Sequence, residues 1–171
     1  NPHKLISKTN YYTLINMKLA SFIEHTILKA DCNKEDVERV CNEALDNEFF
    51  SVCIPPYWVN HAAYILEEKN PKIVTVIGYP MGYSATAAKV EEIKRAVDDG
   101  ADEVDVLINI CAVKEGNWSY VQNDINSVTT AAHLKGKIIK IVLETCLLSE
   151  EEIKKACEIC LKVKTDFVKT S

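Results

Sequence analysis

Short apolar runs alternate with amphipathic helical stretches along the sequence, and that alternation leaves few architectures open. The runs fall at 22–28, 49–54, 73–78, 103–109, 138–145 and 167–170. Each is too uniformly apolar for a strand with one wet face, so both faces are expected to be covered, as in a parallel sheet whose crossovers are helices. Between the runs the period is helical. Asn33 offers an N-cap with Asp36 three residues on, and Val37, Val40, Cys41, Ala44 and Leu45 follow on one stripe. Helices are likewise predicted over 58–69, over 86–99 with Val90, Ile93 and Val97 inward, and over 118–133. Ser149 and Glu152 form a capping box ahead of the stripe Ile153, Ala156, Cys157, Cys160 and Leu161. A further short helix is predicted over 11–21.

Two arrangements satisfy this order: a doubly wound open sheet and a (β/α)8 barrel. A nucleotide-binding open sheet calls for a glycine-rich first turn, and Ala30-Asp31-Cys32-Asn33 has no glycine. The barrel also accounts for charges inside strands, because its inner face is polar toward the catalytic end. The expected fold class is therefore α/β, a (β/α)8 TIM barrel with about six of its eight units present.

Composition narrows the function. Apolar residues at 47% and charged residues at 26% suit one soluble globular core, with no low-complexity tract and no membrane-spanning run. The net charge is −5 and the lysines are scattered, which gives no footprint for nucleic acid and points to a small-molecule partner. Seven cysteines are an odd number, and most sit in apolar periodic segments, so they are read as reduced core thiols of a cytoplasmic protein. Cys157 and Cys160 have redox spacing but lie late in their helix, away from the N-terminus that would acidify a thiol. His3, His25, His61 and His133 lack paired-ligand spacing, so neither a metal site nor a cofactor is expected. Residues 1–16 are read as an N-terminal extension or cloning remnant ahead of Met17, without signal-peptide architecture, and 17–171 as the barrel domain.

Three strand-like runs carry an ionisable residue among apolar neighbours. Side chains alternate along a strand, so Val104, Val106 and Ile108 share the face turned to the helices, and Asp105 and Leu107 take the other. By the same count Ile139, Ile141 and Leu143 point outward and leave Lys140, Val142 and Glu144 inside, while Val168 outward leaves Phe167 and Lys169 inside. Asp105, Lys140 and Lys169 thus converge on one interior. Burial and a second ammonium are expected to lower the proton affinity of Lys169 and make it a nucleophilic amine, with Asp105 as the proton carrier. The pattern alone leaves open a buried ion pair that only fixes register.

The segments Ile23-Glu24-His25-Thr26, Ser51 to Val59, Thr75 to Pro80, Gly100 to Asp105, Lys140 to Thr145 and Phe167 to Ser171 follow one another in an order that resembles the deoxyribose-phosphate aldolase family. The resemblance covers nearly everything from Met17 to Ser171. It implies a barrel whose Schiff-base lysine falls on Lys169 and whose proton-relaying aspartate falls on Asp105. Lys140, Cys53, Thr26, Glu24 and Thr170 are then the expected substrate-binding residues, Glu24 standing where the family usually has Asp. The implied activity is reversible, metal-free cleavage of 2-deoxy-D-ribose 5-phosphate to acetaldehyde and D-glyceraldehyde 3-phosphate in the cytoplasm. A homodimer is an admissible assembly. The sequence ends where the family would continue with two more β/α units, bearing a second catalytic lysine and a phosphate cradle; Lys140 is not that lysine. These residues alone are therefore expected to turn over little and to associate through open sheet edges. Two rival readings are another Schiff-base barrel lyase and an inactive fragment that serves only as an assembly partner.

Overall fold

The computed structural model describes residues 19–170. The extension 1–16 and most of the helix expected over 11–21 lie outside them; Leu19 and Ala20, at that helix's end, are helical.

Six strands form one parallel sheet in sequence order: β1 (Glu24–Thr26), β2 (Ser51–Ile54), β3 (Lys72–Ile77), β4 (Glu103–Leu107), β5 (Ile138–Val142) and β6 (Phe167–Lys169). The helices are α1 (Lys34–Asp46), α2 (Val59–Ile65), α3 (Thr86–Asp98), α4 (Ile110–Lys114), α5 (Trp118–Leu134) and α6 (Glu150–Val163). Local sequence explains their starts. The Asn33 and Ser149 side chains each accept from the amide three residues on, and Asp36 and Glu152 return the bond to the cap amide.

The period-two alternation sorts the sheet's side chains into two apolar sets. Val52, Ile54, Ile73, Ile77, Val104, Val106, Ile108, Ile139 and Ile141 belong to the large core shared with the helices. Cys53, Val74, Val76, Leu107 and Val142 form a separate small cluster on the opposite face. That opposite face is concave. Six strands laid flat at about 4.8 Å spacing would hold β1 and β6 roughly 24 Å apart, yet the Lys169 Nζ of β6 donates to the Glu24 carboxylate of β1. The sheet is therefore curled like a barrel wall, with its inner face gathered on the axis.

The strands are shorter than the apolar runs suggest, because competing local structure ends them. β4 stops at Leu107, and Asn109 accepts from the Ala112 amide to cap the unexpected α4. β5 stops at Val142. Glu144 then takes a left-handed φ of 51° ahead of a 3₁₀ turn at Thr145–Leu147, so strand alternation no longer sets its direction. The predicted helix over 58–69 reduces to α2: a 3₁₀ turn opened by Pro56 takes Trp58, and at the other end the helix is capped at Leu66, two residues before Glu68 turns left-handed at φ 58°.

Candidate active site

Alternation brings Glu24 of β1, Cys53 of β2, Glu103 and Asp105 of β4, Lys140 of β5 and Lys169 of β6 together on the concave face. Lys169 Nζ donates to Asp105 Oδ2 at 2.5 Å and to Glu24 Oε1. Lys140 Nζ donates to the other oxygen of each, Asp105 Oδ1 at 3.0 Å and Glu24 Oε2 at 3.1 Å. Two carboxylates and two ammoniums thus form a closed ring, each carboxylate giving one oxygen to each lysine. Glu103 joins from below with Oε2 at 2.7 Å from Lys140 Nζ.

Exposure separates the two lysines. The Lys169 side chain is 34% exposed and the Lys140 side chain 14%, while that of Asp105 is 1% exposed. Lys169 is the ammonium that an arriving molecule can reach, and Asp105 lies behind it. Charge count separates them further, since Lys140 faces three carboxylates and Lys169 two.

That count reverses the expected sign of the Lys169 shift. Burial does oppose its charge, but the hydrogen bonds and charges of Asp105 and Glu24 outweigh burial and hold its pKa above the ordinary lysine value. Lys140 is raised in the same way, burial being outweighed by Asp105, Glu103 and Glu24. Glu24 is held below the ordinary carboxylate value: burial again opposes, and Lys169 and Lys140 prevail. The free site therefore stores a protonated Lys169 with its proton acceptors already bonded to it. A carbonyl that arrives must displace one of these bonds as the proton is handed over.

This arrangement predicts the effect of removing one negative charge. In Glu24→Gln, Lys169 loses an attractive partner and its pKa falls. The neutral fraction of an amine grows as pH rises through its pKa, so the alkaline-rising limb of borohydride-trapped imine formation should move to lower pH. An unmoved limb would show that Glu24 does not govern the Lys169 proton.

The remaining expected residues differ in their fit. The Cys53 thiol is pushed up to about 12 by burial and then by the charges of Glu24 and Asp105, so at neutral pH it is a small neutral wall of the site. Glu24, Cys53 and Asp105 offer donor atoms within 4.8 Å of one another. Both carboxylates already serve ammonium groups and the thiol keeps its proton, so the donor set suits an amine better than a metal ion. Thr26 is exposed and donates to its own strand's Glu24 carbonyl at 3.3 Å. Thr170, exposed just past β6, makes no hydrogen bond to the ring among the described residues. Glu103 escaped the sequence reading, although its place two residues before Asp105 puts it on the same face.

The chain has relatives. A family model described as DeoC/LacD family aldolase matches residues 18–171. A deoxyribose-phosphate aldolase of Thermococcus gammatolerans is 46% identical over 160 residues, which cover 92% of this chain and 71% of that protein. One from Finegoldia magna is 45% identical over 155 residues, covering 91% and 72%. Among solved structures, a candidate deoxyribose-phosphate aldolase from Coccidioides immitis superposes with a TM-score of 0.87 at 34% identity, covering 91% of this chain and 61% of that one. The deoxyribose phosphate aldolase of Aeropyrum pernix, described as a tetramer, gives 0.84 at 26%, covering 91% and 65%. The chain thus spans about 61% to 72% of the length of these relatives.

Proposed function

The chain belongs to the DeoC/LacD aldolase family, and from that premise we propose that it serves a class I aldolase acting reversibly on 2-deoxy-D-ribose 5-phosphate, with Lys169 as the Schiff-base nucleophile. The observation that carries this reading is the partly exposed Lys169 ammonium hydrogen-bonded to a buried Asp105 on the concave face. Relatives named for this activity at 44–47% identity support the substrate.

The chemistry follows from the ring. Asp105 or Glu24 takes the Lys169 proton, and the neutral amine adds to the aldehyde carbon of the open-chain sugar. The hydroxyl of the resulting carbinolamine is protonated and departs as water as the nitrogen lone pair forms the iminium. Asp105, with an oxygen on each lysine, is the group placed to carry these protons, directly or through a water. The C3 hydroxyl, two carbons from the iminium carbon, then gives its proton to Asp105, directly or through a water, while the C2–C3 bond breaks and its electron pair flows into the iminium. Glyceraldehyde 3-phosphate departs and an enamine remains on Lys169. Protonation of its terminal carbon and hydrolysis release acetaldehyde and restore the amine. Lys140, bonded to three carboxylates, stays protonated throughout and keeps the ring from becoming a cluster of bare negative charge.

In a protein that carries this chain together with the two further β/α units of the family, borohydride reduction in the presence of acetaldehyde should leave one two-carbon adduct, mapped to Lys169, and 2-deoxyribose 5-phosphate should release acetaldehyde, whereas residues 1–171 alone should turn over little. Adduct on Lys140 instead overturns the assignment, and a panel of other carbonyl substrates tests the rival lyase. We place the enzyme in the cytoplasm as a homodimer. The free cysteines fit a reducing compartment, and a relative described as a tetramer fits self-association. Cell fractionation and sedimentation equilibrium check these two points.

A further inference from the structure

Where the β3–β4 ladder ends, α3 supplies the missing partners. The last registered pair is Ile77 with Val106. One residue further on, the Gly78 amide donates to Glu92 Oε2 at 2.8 Å, and the Leu107 carbonyl accepts from Lys89 Nζ at 2.9 Å. Lys89 is wholly buried, and its ammonium also donates to Asp124 Oδ2 of α5 at 2.8 Å. The other Asp124 oxygen accepts from Thr86 Oγ1 at 2.7 Å. One desolvated ion pair thus ties α3 and α5 to the carboxyl end of β4.

Stability is a poor reason for such a pair, because apolar residues of similar volume often do as well or better. Position is a better one. Leu107 lies two residues beyond Asp105 on a strand of five residues, and both face the concave side. The backbone around Lys89 is fitted to it: Gly78 has φ +66°, and a Cβ there would stand 3.1 Å from Lys89 Cε. A glycine in β3's exit turn therefore keeps the lysine's channel open.

We propose that Lys89, held by Asp124, is a positioning residue for Asp105. By fixing the Leu107 carbonyl from outside the sheet, it sets where the inner face of β4 stands. The Asp105 carboxylate then keeps one oxygen on each lysine. This rests on the reading of Asp105 as the proton carrier of the Lys169 imine.

The test uses the double substitution Lys89→Met with Asp124→Asn, which removes both charges together, and independently Gly78→Ala, which crowds the Lys89 stem and also strains the left-handed turn at φ +66°. Parent and variants all carry the two further β/α units of the family, and each folded variant is compared with the parent in two reactions with acetaldehyde: the final extent of borohydride trapping on Lys169, and the rate of solvent deuterium entry into the methyl group, which reports proton transfer at carbon. Trapping should still reach completion while exchange slows by about ten- to a hundredfold, the scale of a catalytic group displaced by about 1 Å. Undiminished exchange in either folded variant overturns the proposal. So does loss of trapping and exchange in equal proportion, together with a lowered thermal transition, because that marks a role in folding alone. If the parent itself neither traps nor exchanges, the aldolase reading fails first and the inference falls with it.

Discussion

Lys169→Arg should give a folded protein that forms no imine and cleaves 2-deoxyribose 5-phosphate slower by roughly four to six powers of ten, the scale seen when a covalent nucleophile is removed. Arginine keeps a positive charge between Asp105 and Glu24, so the ring stays neutralised and the curled sheet keeps its inner contacts. The guanidinium does not lose its proton in the working pH range and cannot attack a carbonyl. Alanine would be a worse test, because it leaves the buried Asp105 and Glu24 short of a cation and confounds chemistry with folding. Mass spectrometry after borohydride reduction checks the adduct, and circular dichroism checks the fold. An arginine variant that still carries an acetaldehyde adduct on another lysine would remove Lys169 from the mechanism.

Asp105→Asn should lower turnover by about two to four powers of ten, the usual scale for a positioned acid-base group. The amide fills the same buried space but accepts no proton. It also takes one negative charge from the ring, so the rising limb of imine formation should move to lower pH, as in Glu24→Gln. The two variants then part company in the plateau: Asp105→Asn loses most of its maximal rate, and Glu24→Gln keeps the larger share because Asp105 remains. Steady-state turnover and single-turnover trapping across pH separate them. Equal plateaus in both variants would mean that the two carboxylates are interchangeable and that no one group is the proton carrier.

Much of this site was legible because a strand's side chains alternate whatever the fold does. The apolar triplet Val104, Val106 and Ile108 fixed the face of Asp105, and Ile139 and Ile141 fixed that of Lys140. What alternation does not carry is how far a strand runs and how far the sheet bends. Glu144 was counted inward from a strand that had already ended at Val142. The raised pKa of Lys169 comes from Asp105 and then from Glu24, which reaches across from β1 in a contact set by curl rather than by pattern. Lys89 was missed for a different reason. The stripe of α3 was read through Val90, Ile93 and Val97, whereas Lys89, Ile93 and Ala96 are its fully buried residues. A lysine is assigned to the solvent face by default, and only the tertiary partners Asp124 and Leu107 make its burial tolerable.

The ionic contact between Lys169 and Glu24 joins residues 145 positions apart, whereas every strand of the sheet pairs with its neighbour in sequence. Loop-closure entropy favours the short-range pairings first, so the sheet can grow strand by strand while its two ends remain apart. The ring of charges is then the last feature to form. Chains also emerge from the ribosome amino end first, so Glu24 and Asp105 are made before Lys169, the proposed nucleophile that they hold. A nascent chain therefore carries the acceptors for a proton before it carries the amine. Reactivity toward aldehydes becomes a late-maturing property, one that pulse-labelled refolding followed by borohydride trapping can time against the recovery of secondary structure.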